Sequence, residues 1–276
     1  MIYLSDERQH AIVELAGLDG GGWETRLPPV ATPPVPAGLA LTADGRLVFA
    51  DRVGSVVMVM EPDGSQGEVL DPSATQVGPL NGPTAVAVDA TGAVLIADTG
   101  NHRIVRASDV DAPTWESYGS PGTAAPDEFL APTGVTVDDV GRIVVADPAA
   151  RRLVRFDGLT GRNWTELPLP AGSARPYAVR WGTGGALVTE LATRSVLQLH
   201  PDASMSVLID GADELIAPIA AAMDGATVLV ADAGAAQVTR WSADGGGSWV
   251  VTERLVGIPR ALPGPEFTRL SGLAVS

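Results

Sequence analysis

Six acidic residues punctuate this 276-residue chain, at Asp6, Asp51, Asp98, Asp147, Glu190 and Asp232. Six carboxylates could hold a hard cation, which wants several oxygens. An Asp that ends a strand before a tight loop more ordinarily accepts backbone N–H bonds in the turn, so no metal is expected. Glu190, Tyr177 and His102 are the side chains whose types suit acid–base work. Arg175, Arg180 and Arg269 could bind a carboxylate or an enolate-like charge. His10 and His102 each follow an acid by four residues and His200 does not, so the three histidines do not converge as a zinc site would need. There is no Ser-His-Asp order, phosphate loop or dinucleotide fingerprint, and Asp244-Gly-Gly-Gly-Ser248 reads as a turn. No cofactor is expected.

The acids belong to a repeat. Pro83-Thr-Ala-Val-Ala-Val-Asp-Ala-Thr-Gly-Ala-Val-Leu-Ile-Ala-Asp98 returns as Pro36 to Asp51 and as Pro132 to Asp147, more loosely as Pro176 to Glu190 and Pro218 to Asp232. Each copy holds a strand of small apolar residues, a polar turn with Gly, an apolar strand ending in the acid, a short loop and a third strand. The acids are spaced by 45, 47, 49, 43 and 42 residues. A period in the forties with three or four strands per unit indicates propeller blades. Runs such as Ile143-Val-Val-Ala146 are apolar on both faces, as expected where each sheet is packed between two others. The sixth copy is split. Ser271-Gly-Leu-Ala-Val-Ser276 reads like Ala37 to Thr42, and Met1-Ile-Tyr-Leu-Ser-Asp6 reads like Arg46 to Asp51.

The fold expected is therefore all-β: a six-bladed propeller of four-stranded antiparallel blades, one domain over 1–276. Blade one spans 36–71, blade two 83–118, blade three 132–168, blade four 176–210 and blade five 218–253. Blade six is shared between 269–276 and 1–30, closed by the C-terminal first strand plus the N-terminal strands. Five of the six Trp (Trp23, Trp115, Trp164, Trp241, Trp249) fall in or beside third and outer strands, where they read as edge packing. The long segments 109–131 and 252–270, the second with Arg260, Pro263, Pro265, Glu266, Phe267 and Arg269, would cover one end of the ring.

Composition narrows the partners. Net charge is −15 with no basic stripe, which argues against nucleic acid. No apolar run approaches a membrane span, and Met1 leads straight into a strand pattern without a signal-peptide profile. A cytoplasmic, monomeric protein is expected. There is no Cys and no Lys, all 18 cations being Arg, which excludes disulfides, thiolate sites and Schiff-base chemistry. Arg-only, Ala/Gly/Asp/Pro-rich usage resembles a GC-rich bacterial genome.

Asp98-Thr-Gly-Asn-His-Arg-Ile-Val-Arg106, following Pro83-x-x-Val-Ala-Val-Asp89, is similar to the NHL repeat. Asp147 to Phe156 and Asp6 to Val13 are looser copies. The resemblance implies a six-bladed propeller and does not imply an activity, because the fold serves binding modules and enzymes alike. A more distant resemblance is to the regucalcin and gluconolactonase propellers, which carry metal ligands just before the Gly of several first strands. The matching positions here are Ala37, Thr84, Thr133, Tyr177, Ile219 and Ser271, none a carboxylate or amide. A divalent-metal lactonase is disfavoured. What remains is a ring of hydroxyls, Thr84, Thr133, Tyr177 and Ser271, suited to a neutral or anionic ligand.

Blade four breaks the repeat. Where other first strands have Ala40, Ala87 or Thr136, it has Arg180, followed by Trp181, and it ends in Glu190 instead of Asp. A charge inside a close-packed blade is costly unless paired. Arg180 and Glu190 lie on adjacent strands and could pair, as a functional site or as structural compensation. Two functions stay open: a platform binding a small molecule or a peptide or protein partner on the top face at the channel, or a metal-independent lyase, cyclase or isomerase working in the channel mouth.

Overall fold

The structure, a computed structural model, describes residues 1–19, 22–26, 33–211, 214–256 and 270–276. Six four-stranded antiparallel sheets form a ring. Blade one comprises Pro36–Leu41, Leu47–Asp51, Val56–Met60 and Gln66–Leu70; blade two comprises Ala85–Val88, Val94–Asp98, Arg103–Ala107 and Trp115–Tyr118. Blade three comprises Gly134–Val137, Arg142–Asp147, Arg152–Asp157 and Arg162–Leu167; blade four comprises Pro176–Gly182, Gly185–Glu190, Ser195–Leu199 and Met205–Asp210. Blade five comprises Pro218–Asp224, Thr227–Asp232, Gln237–Ala243 and Trp249–Val256. Polar Gly turns separate short β-branched runs, and each turn returns the chain beside its predecessor.

Blade six is completed from both ends of the chain. Leu270–Val275 pairs with Ile2–Asp6, in the register Ile2↔Val275, Tyr3↔Ala274 and Leu4↔Leu273. Ala11–Leu15 and Trp23–Arg26 follow outward. The Ser276 N–H donates to the Met1 carbonyl at 3.1 Å, so the ends meet where other blades have their first turn.

The core is divided into six seams, each between consecutive blades. Ala50 and Val57 of blade one pack with Ile96 of blade two. On the other side of the same blade-two strand, Leu95 and Ala97 pack with Val135 and Val145 of blade three. The series continues between blades three and four, four and five, and five and six. Phe49 and Met58 of blade one with Ala274 of blade six close it. Alternate residues of one strand thus enter two different seams, which is why the second strands carry no polar face.

Small residues in the first strands permit the closest approach between blades. A Cβ on Gly134 would lie 2.9 Å from the Tyr177 carbonyl and 3.0 Å from the Ala178 Cα of the next blade. One on Gly38 would lie 2.6 Å from the Ala85 Cα. Blade four's first hairpin is tighter than those of blades one to three, Gly182 pairing directly with Gly185.

Candidate functional site

The acids act as clasps. Those of blades one to five reach back to the loop that leads into their own blade and forward to the turn that follows, and Asp6 reaches forward to the Arg8 and Gln9 amides. Asp147 accepts the N–H groups of Leu130 and Ala131, both at 2.9 Å. Asp232 accepts those of Ile216, Ala217, Gly234 and Ala235 at 2.6–3.0 Å. Glu190 does the same work, accepting from Ala174 at 2.9 Å, from Arg175, and from the Thr193 amide and hydroxyl at 2.6 and 2.7 Å. Burial alone raises its pKa, but the bonds from Thr193, Ala174 and Arg175 outweigh this and hold its carboxyl below its ordinary value. Glu190 and Arg180 are not brought together: Glu190 lies opposite Pro176, and Arg180 lies opposite Leu187.

His102 sits four residues after its acid. The equivalent residue in every blade, His10, Ser55, His102, Arg151, Arg194 and Ala236, has φ between 49° and 60°. That left-handed position ends the turn after the clasp. The His102 ring bonds the Leu130 carbonyl at 2.6 Å, His10 bonds Pro34 at 3.0 Å, and Ser55 accepts from Gly82 at 3.2 Å. In these three blades the side chain clips the loop leading into the next blade. His102 does not line the channel.

The hydroxyl ring exists, and most of its protons are committed. Thr133 donates to the Tyr177 carbonyl at 2.6 Å and Ser271 to the Pro36 carbonyl at 2.7 Å, each bond crossing to the next blade. Thr84 shares a 2.6 Å bond with Thr99 and lies 3.3 Å from the Thr133 carbonyl. Ser5 donates to Ala37 at 2.6 Å. Together these form a partial girdle, spanning the junctions between blades two and three, three and four, and six and one. Tyr177 lies half-buried in the channel lining and packs against the seam between blades five and six.

The first strands of all six blades enclose a channel of about 840 Å³, part of it open to solvent. Arg180 stands in its wall where other blades carry Ala40, Ala87, Thr136, Ala222 or Ala274. Its guanidinium reaches past blade five to the Leu273 carbonyl of blade six at 3.3 Å. Among the described residues no carboxylate meets it, and burial pushes its pKa down. Trp181, also in the channel lining, is tied to blade three: its indole N–H donates to Asp139 and its backbone N–H to the Thr136 hydroxyl, both at 2.9 Å. Arg175 is exposed and contributes backbone bonds. Arg269 and most of segment 252–270 lie outside the described residues. Within 109–131, Ser120–Pro121 and Glu128–Phe129 form a short parallel ladder, and Phe129 is fully buried in the seam between blades two and three.

Sequence reading missed the Leu273 carbonyl and Thr136. A backbone acceptor leaves no mark in residue type, and Thr136 looked like one more small first-strand residue.

Residues 80–106, covering the first two strands of blade two and most of its third, match the NHL repeat family model. A comparison with curated proteins gives no match. Among solved structures, a chain of a nidogen–laminin complex is similar with a TM-score of 0.75 and 17% identity, over 99% of this chain and 96% of that one. Virginiamycin B lyase from Staphylococcus aureus is similar with a TM-score of 0.60 and 15% identity, over 79% and 69%. A protein from Lactobacillus plantarum gives 0.62 and 12%, over 99% and 98%. At these identities the likeness is one of fold. Together with the six blades described above, it establishes a six-bladed propeller fold, with one stretch, 80–106, that matches the NHL repeat.

Proposed function

We propose that this propeller is a binding module that holds a small molecule or a segment of a partner at the top face, over the mouth of the central channel. The observation that carries this reading is the commitment of the groups chemistry would need. Glu190 accepts four hydrogen bonds from its own turn and lead-in loop, His102 clips a neighbouring blade, and Thr133 and Ser271 donate to backbone carbonyls. The channel meanwhile keeps an open volume bounded by the inner strands, and preformed concavity favours recognition. The nidogen–laminin likeness shows the fold within a protein complex. No described helix is long and apolar enough to cross a membrane.

A screen of small organic acids and short peptides by thermal shift, with mass spectrometry of the recovered compound, tests the reading. A compound that raises Tm and returns chemically unchanged supports it. A compound returned as product would overturn it in favour of a metal-independent lyase, cyclase or isomerase. The likeness to a lyase and the place of Tyr177 beside the channel motivate that second reading, and Tyr177→Phe would then abolish turnover.

A further inference from the structure

Charge pairing is common for arginine in this acid-rich chain, though not universal: nine of the sixteen described arginines show it. Nine described arginines, Arg26, Arg46, Arg52, Arg103, Arg106, Arg142, Arg152, Arg240 and Arg254, lie within 3.9 Å of a carboxylate. Arg180 departs from it in a setting where departure is costly. It projects into a channel walled by Gly38, Ala40, Ala87, Val135, Ala221 and similar residues, and among the described residues its one hydrogen bond is the 3.3 Å contact to Leu273. A guanidinium carries five N–H donors in a planar fork and keeps its charge at neutral pH. Most of that fork is unused. Thr136, at the matching position of blade three, accepts from the Trp181 N–H at 2.9 Å and keeps its own hydroxyl hydrogen to donate. Tyr177 lines the same channel.

Resting on the binding reading above, we propose that Arg180 is the seat for a single carboxylate group inserted into the central channel. One guanidinium balances one negative charge, and its fork matches a carboxylate in plane. A phosphate dianion would find no second cation among the channel-lining residues, inside a chain of net charge −15. The small side chains opposite Arg180 leave the room, and the Leu273 carbonyl holds the fork across the opening. The carboxylate could belong to a free organic acid or to the C-terminus of a peptide.

Acetate is the first probe. At about tenfold excess over its Kd and constant ionic strength, acetate should raise the Tm of the wild type by about 3 °C. Arg180→Met should abolish that rise, and Arg180→Lys, which keeps the charge and loses the fork, should weaken binding by about tenfold. Should Arg180→Met fail to fold, the wild type and Arg180→Lys decide: the arginine side-chain ¹⁵Nε resonance that is lost in Arg180→Lys should move on acetate titration of the wild type. No such movement up to ~100 mM acetate, or equal Tm rises in wild type and Arg180→Met, would overturn the proposal. A short peptide that binds with a free C-terminus and not when amidated identifies a peptide source, whereas acids that bind where such peptides do not identify a small molecule. A compound held equally by wild type and Arg180→Met removes the carboxylate seat and leaves the binding module standing. An acid turned over with dependence on Arg180 removes the binding-module reading and keeps the seat.

Discussion

Glu190 occupies an aspartate's place with a longer side chain and still gathers four donors. In Glu190→Gln those amides would meet a neutral group with a single acceptor oxygen, and the change should cost about 1–3 kcal/mol at pH 7. The pH dependence has a definite sign. A carboxyl held below its ordinary value of 4.5 stabilises the fold above that pH, and its contribution fades as pH falls through the lower folded-state value. Urea unfolding of wild type and Glu190→Gln should therefore show a gap at pH 7 that narrows below about pH 4.5. His102 offers a contrasting case, because its backbone sits at φ 58°. His102→Ala should lose about 0.5–1.5 kcal/mol with the ring bond to Leu130. His102→Gly should lose less, since glycine relieves the left-handed backbone; urea midpoints of the pair decide it. The residue types at this turn position, two His, one Ser, two Arg and one Ala, share no chemistry. Only the backbone angle unites them, and so the sequence suggested a candidate base where the fold required a turn.

At the level of strands, legibility was uneven for a physical reason. The repeat from Pro to Ala-Asp encoded strand order and turn position locally, so the blades could be read directly. The girdle could not be. Its acceptors are backbone carbonyls of Pro36, Thr133 and Tyr177, each brought from a neighbouring blade. Arg180 stood out because a long charged side chain replaced Ala or Thr, yet its partner is again a carbonyl, which explains why Glu190 looked the better match. The same close approach that builds the girdle makes the first strands intolerant of bulk. Gly134→Val would push a side chain against the Tyr177 carbonyl and the Ala178 Cα. It should destabilise the protein by about 1–3 kcal/mol, read as a lower Tm, while changes of the same size on the exposed outer strand at Val207 should be near neutral.

For the whole ring, the seams set the energetics. Each blade is stabilised by both neighbours, so loss of one inner strand exposes two seams at once. Removing residues 270–276 takes away the buried Leu270, Leu273 and Ala274 and leaves the edge of Ile2–Asp6 unpaired. Circular dichroism and thermal melts should show loss of the cooperative transition, and a synthetic peptide of residues 270–276 should restore it in part by strand addition.

The meeting of Met1 and Ser276 also fixes how the molecule answers a pull. Ile2 lies opposite Val275 at the very end of the shared ladder, so tension applied at the two ends loads its hydrogen bonds one after another instead of all together. Stretched between handles fused to its termini, the propeller should yield at low force by peeling its last strand. A circular permutant joined across Ser276 and Met1, with its new ends elsewhere, should resist more strongly in the same optical-trap measurement.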